Sequence, residues 1–241
     1  MLRTTVVLAA LAAVAVGLFE VPAQFLSEEA LIVKYPLDSN AAFAPKCLSI
    51  PFQDCQAKFD QKLNFTVSLN WRNSSTLARR IKGMLGSENF QNYINVCQAR
   101  QLFYGCLGDQ YGACVNRYYL LKQSGADWKT VMQYIQLFEH LDFICNAGFE
   151  LAQPNWVCIS RVLAQNKTGL ETCKNDFLTS GTSDHWQHLC EPNYVPKFAA
   201  CVQNVFKENC GSPEVGWFGC QDTLVGFQRD CRNSVFRCHP I

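Results

Sequence analysis

The chain has 241 residues, with 21 Lys and Arg against 20 Asp and Glu and a formal net charge of +1. That balance argues against a dedicated nucleic-acid binder and against a protein that adsorbs broadly to membranes. An apolar content of 49% is enough for a sizeable core and excludes a disordered tail.

Arg3 stands in a short positive segment, and Val6 to Leu18 follow as an apolar run free of charge. Such a run suits the hydrophobic part of a signal peptide and falls short of the roughly 20 residues of a membrane span. Small residues offer one cleavage site at Ala15 and Gly17 and a second at Val21 and Ala23. The second is preferred, because Pro22 then falls between its two recognition positions. Residues 1–23 thus read as a signal peptide. Residues 24–46 carry Pro36, Pro45 and an Ala-rich patch but no cysteine, and read as a loose leader. No later apolar run reaches spanning length, and Cys238-His239-Pro240-Ile241 holds no hydrophobic tail for a lipid anchor. The expectation is a secreted, extracellular protein without a transmembrane anchor, residues 47–241 forming one cysteine-rich helical domain.

From Cys47 onward the apolar pattern is helical. Phe52, Cys55, Phe59 and Leu63 recur at helix spacing. Leu77, Ile81, Met84 and Leu85 do so behind the cap candidates Ser74 and Ser75. Phe90, Tyr93, Ile94 and Cys97 form a third stripe. Asp127 suits the N-cap of the strongest one, which runs through Trp128, Val131, Ile135, Phe138, Leu141 and Cys145. Phe198, Cys201, Val202, Val205 and Phe206 make another, stopped by Gly211 and Pro213. Asn-Gly and Asp-Gly hairpin turns are absent. The predicted fold is all-α, a compact multi-helix domain cross-linked by about seven disulfides.

The fourteen cysteines are Cys47, Cys55, Cys97, Cys106, Cys114, Cys145, Cys158, Cys173, Cys190, Cys201, Cys210, Cys220, Cys231 and Cys238. An even count confined to the region after the leader is what a disulfide framework requires. Cys97 and Cys106 are nine residues apart, as are Cys201 and Cys210. Nine residues of helix rise about 13–14 Å, whereas a disulfide needs Cα atoms within about 7 Å. Such neighbours either bond to different segments or have a helix break between them. The shared spacing hints at a duplicated unit, but the surrounding residues match too poorly to claim one.

No cysteine pair has the close spacing of a structural zinc site. His185 and His188 are three apart, and two imidazoles alone make a weak site. No nucleophile elbow, metalloprotease helix or odd thiol is present. Glu139 beside His140 falls within the strongest predicted helix and reads as an ordinary surface charge. The reading is therefore non-enzymatic, with no cofactor and no metal. Three sequons, at Asn64, Asn73 and Asn166, are candidate N-glycosylation sites. Arg72, Arg79, Arg80 and Lys82 form a local basic cluster suited to sulfate groups, and the tryptophans offer faces for sugar rings. Extracellular matrix components or glycans are the expected partners. Two Ser-Gly dipeptides with an acid nearby, at Ser124 and Ser180, are candidate chondroitin attachment points, and both also read as turns between helices.

Four motifs then occur in order within this frame: Phe103-Tyr104-Gly105-Cys106-Leu107-Gly108, Cys145-Asn146-Ala147-Gly148-Phe149, Trp156-Val157-Cys158 and Gly216-Trp217-Phe218-Gly219-Cys220. Together they resemble the cysteine-rich domain of nematode chondroitin proteoglycan 4 and its relatives, over roughly Cys47 to Cys238. The resemblance implies an extracellular, non-enzymatic core protein with a matrix or eggshell role, some members carrying chondroitin. This chain departs from that pattern in lacking a Ser-Gly-rich tail. The competing expectation is a secreted ligand-binding or receptor-like module, since helical disulfide-stapled domains serve that purpose too. A large exposed apolar patch with an aromatic centre would favour it.

Overall fold

The computed structural model describes residues 46–165, 167–183, 188–228, 230–231 and 236–240. The signal peptide, the leader up to residue 45, Asn166 and His185 lie outside them. Among the described residues every regular element is a helix. In chain order these are α1 (Ser49–Lys62), a 3-10 turn (Trp71–Asn73), α2 (Ser74–Leu85), α3 (Phe90–Leu107), α4 (Tyr111–Cys114) and α5 (Arg117–Leu121). They continue as α6 (Trp128–Ile144), α7 (Phe149–Gln165), α8 (Lys167–Ser183), α9 (Val195–Cys210) and α10 (Pro213–Val225). The all-α expectation holds, and none of these helices is long and apolar enough to cross a membrane.

The predicted stripes are the faces that go inside. Phe52, Cys55 and Phe59 are buried on α1, and Leu77, Ile81 and Leu85 on α2. Helix α6 is buried nearly all round, which places it at the centre, and Asp127 caps it by accepting the Thr130 amide at 3.0 Å. Helix α9 stops at Gly211, which is left-handed at φ +63°. Ser74 and Ser75 are not caps. They are the first two residues of α2, and their hydroxyls donate to the Gln133 side-chain oxygen at 3.2 and 2.7 Å. Helices α7, α8 and α10 had no predicted counterpart. Helix α7 contains Pro154, whose missing N–H marks a helix boundary in a sequence reading. Helix α10 holds Gly216 and Gly219, and those glycines are there for packing. A Cβ on Gly219 would come within 2.4 Å of the Phe206 ring, and one on Gly216 within 2.9 Å of the Lys207 Cβ. Their absence lets α9 and α10 lie against each other.

All fourteen cysteines are paired: Cys47–Cys114, Cys55–Cys106, Cys97–Cys145, Cys158–Cys210, Cys173–Cys201, Cys190–Cys231 and Cys220–Cys238. Of the two options for closely spaced cysteines, the first is realised. Cys97 and Cys106 share the unbroken α3 but bond to the end of α6 and to α1. Cys201 and Cys210 share α9 but bond to α8 and α7.

No bridge joins the first three pairs, within residues 47–145, to the last four, within 158–238. Each group has the same wiring. In the first, the first cysteine bonds the fifth, the second the fourth and the third the sixth. The second group repeats that order once Cys220–Cys238 is set aside. Eight cysteines pair in roughly 105 ways, and with any one of the four bridges open to being set aside the same order arises by accident about one time in four, so the match is suggestive of a duplicated unit and no more. The wiring sets α1 beside α8, α3 and α4 beside α9, and α6 beside α10 as equivalent elements. Cys106 and Cys114 thus correspond to Cys201 and Cys210, a different alignment from the one the nine-residue spacing suggested.

The two halves are joined by packing. One apolar core runs through both. Tyr93 of α3 stacks on Trp156 and Phe149 of α7, with ring centroids 4.2 and 5.5 Å away. Gly148, on the link between the halves, sits where a Cβ would meet the Phe218 ring at 2.8 Å, so two of the four motifs touch. Helix α6 packs against α2 on one side and α10 on the other.

Candidate functional site

Among the described residues a cleft of about 210 Å³ opens at one side of the first half. Its wall on α1 carries Ser49, Phe52, Gln53 and Gln56; the loop before α2 supplies Ser68, Asn70, Trp71 and Arg72; α5 and its exit supply Tyr119 and Gln123.

The floor is fixed by a buried chain of polar contacts. Tyr134 of α6 donates to the Gln56 carbonyl oxygen at 2.6 Å, and the Gln56 amide donates to Asp60 at 3.3 Å. Asp60 also accepts the Leu69 amide at 2.8 Å, which ties the loop to α1. Burial pushes the Asp60 carboxyl up to about 6, against the opposing effect of the hydrogen bonds from Leu69, Gln56 and Ser68. The rim is a reciprocal capping arrangement. Asn70 accepts the Arg72 amide at 2.9 Å, and Asn73 accepts the Asn70 amide at 2.6 Å. The Arg72 guanidinium lies 4.1 Å from the centre of the Trp71 ring and donates to the Ser124 carbonyl at 3.4 Å.

The candidate modification sites divide. Asn64 is exposed just past α1, with φ +56°. Asn73 is exposed but takes part in the capping arrangement, its amide donating to the Ser68 carbonyl at 3.2 Å. Ser124 is exposed on the turn between α5 and α6, beside left-handed Gly125 at φ +74°. Ser180 is not on a turn. It lies inside α8, and its hydroxyl donates to the Asp176 carbonyl at 2.9 Å. Helix continues through Gly181 because the flanking residues complete the backbone ladder, which a Ser-Gly pair alone does not forbid.

The basic cluster is split. Arg72 belongs to the cleft, whereas Arg79, Arg80 and Lys82 lie on α2, where Arg80 sits over the Phe65 ring at 5.3 Å. Trp156 is a core residue whose ring N–H donates to the Ser87 carbonyl at 3.2 Å. His188 pairs with Glu191 at 2.6 Å on the surface.

Sequence reasoning missed the polar seam between the halves. His140 is not a surface neighbour of Glu139. It is 0% exposed, and its Nδ1 lies 2.9 Å from Asp222 of α10. Burial works against the imidazolium, but the Asp222 charge and hydrogen bond outweigh it and hold the ring's pKa above its ordinary value. Arg117 meets Asp230 in a second buried pair, and the Gln136 amide donates to the Gly226 carbonyl at 3.2 Å. An apolar helix pattern gives no sign of partners that arrive 82 to 113 residues later. With these side chains shut away from solvent, the seam orients α6 against α10 and is not a site. Comparison of the chain with protein-family models, with curated proteins and with solved structures finds no match.

Proposed function

We propose that the chain is a secreted, non-enzymatic structural protein of the extracellular matrix, similar to the core domain of a nematode chondroitin proteoglycan. The observation that carries the reading is the complete pairing of fourteen cysteines between separate helices. Such a framework persists in an oxidising compartment and is rare in a reducing one. The four motifs support the family likeness, and two of them meet in the core at Gly148 and Phe218.

Chondroitin attachment needs a serine hydroxyl that a transferase can reach. Ser124, exposed on its turn, meets that need; Ser180, bonded back onto its own helix, meets it poorly. The test is the size of the secreted protein, with N-glycans removed, before and after chondroitinase. The proposal expects a broad heavy species that collapses to the polypeptide, is lost in Ser124→Ala and persists in Ser180→Ala. A sharp species indifferent to chondroitinase contradicts it.

A further inference from the structure

The cleft beside α1 is a binding site without an assigned ligand, and its chemistry is specific. Its apolar surface comes chiefly from half-buried Tyr119, since Phe52 and Trp71 are only 5% and 4% exposed and the Arg72 guanidinium lies over the Trp71 ring. Amide and hydroxyl side chains supply donors and acceptors in mixed order. Arg72 is its only charged lining residue, and no carboxylate opposes it within the cleft. Asp60 lies behind the floor, turned to the Leu69 amide.

We propose that this cleft takes one ring of an acidic saccharide, with Arg72 meeting its carboxylate or sulfate. A sugar ring has a C–H face that packs on aromatic carbon, here that of Tyr119, and a circumference of hydroxyls that pair with amides. A planar guanidinium matches a carboxylate or sulfate through paired N–H donors. A lipid would call for deeper apolar walls. At about 210 Å³ the cleft is below the roughly 300–1,000 Å³ of a drug-sized pocket, so a single ring enters and the rest of a chain stays outside.

The site is built before the ligand arrives. The Tyr134–Gln56–Asp60 contacts fix the floor, the Asn70 and Asn73 bonds fix the rim, and Trp71 with the Ser124 carbonyl holds Arg72. Little ordering remains to oppose binding. This inference does not depend on whether the chain itself bears a glycan.

The test titrates Ser124→Ala protein, free of any chain at that serine, by calorimetry. The probes are a chondroitin 4-sulfate tetrasaccharide, a hyaluronan tetrasaccharide that carries carboxylates alone, and neutral chitotetraose. At least one acidic probe is expected to bind, and chitotetraose at least tenfold more weakly. Binding of both acidic probes shows that a carboxylate suffices; binding of the sulfated one alone assigns the sulfate. Adding Arg72→Gln is expected to reduce acidic-probe affinity at least tenfold, and Gln53→Ala, at an exposed position, a few-fold. Arg79→Gln with Arg80→Gln is expected to leave it unchanged. Circular dichroism checks that each variant is folded. Absence of acidic-probe binding at millimolar concentration overturns the proposal. So does equal binding of chitotetraose, or a loss in the Arg79, Arg80 variant as large as that in Arg72→Gln. A failed chondroitinase shift leaves this titration untouched, so the two proposals fail separately.

Discussion

His140 and Asp60 hold the clearest consequences at the scale of single residues. Removing the His140 ring leaves the Asp222 carboxylate buried without its partner, and uncompensated buried charges typically cost about 3–5 kcal/mol. His140→Ala is expected to lower stability by about that amount in chemical denaturation. The pH dependence follows from both residues. The folded-state pKa of His140 is raised, so its contribution is full below the ordinary histidine value and is lost as pH rises through the raised one. Asp60 is raised to about 6, so its contribution is full below 3.8 and is lost as pH rises through 6. Asp127 and Glu214 act oppositely. Their carboxyls are lowered, by the hydrogen bonds at Thr130 and at the start of α10, and their contributions fade as pH falls through the lowered values. Stability should therefore be greater near pH 5 than near pH 8. Thermal melts across that range check it, and Asp60→Asn should flatten the segment between pH 4 and 6. A melting temperature that climbs steadily from pH 5 to 8 contradicts this account. Asp127 was legible in the sequence because a cap is local. His140 was not, because its meaning lies in Asp222, a residue of another helix.

At the scale of elements, the contact between α9 and α10 rests on glycines. Gly219→Ala would push a methyl group into the Phe206 ring, and overpacking of that kind costs about 1–3 kcal/mol. Denaturant unfolding of the variant measures the loss. An unchanged midpoint would mean that the ring moves aside freely. The Gly216-Trp217-Phe218-Gly219-Cys220 motif was visible as a motif, but its reason needs the facing helix. Helix ends set by local chemistry, at Asp127 and Gly211, were readable. Helix α7 was hidden by Pro154 and the Ser180 segment by its Ser-Gly pair. At Pro154 the packing of Ala152, Trp156 and Ile159 into the core overrides a local preference, whereas at Ser180 a Ser-Gly pair does not forbid a helix.

At the scale of the molecule, seven bridges close loops of 18 to 67 residues, each worth about 3–4.5 kcal/mol by chain entropy. Nested loops do not add, yet the set rivals a total stability of roughly 5–15 kcal/mol. Full reduction and alkylation should therefore abolish the helical circular dichroism spectrum. The even cysteine count, and the disulfide framework it implies, were legible. The pairing was not, because it depends on which helices pack. Nor was the internal correspondence of the halves, which the nine-residue spacing set out of step by one cysteine. The central claim is an oxidised framework of two halves, wired alike apart from Cys220–Cys238, that meet through packing and buried polar pairs and share no bridge. Peptide mapping of the non-reduced secreted protein by mass spectrometry tests it most directly. The account predicts all seven pairs, no free thiol, and no peptide from residues 47–145 linked to one from 158–238. A bridge between those segments, or a population of free cysteines, would contradict it.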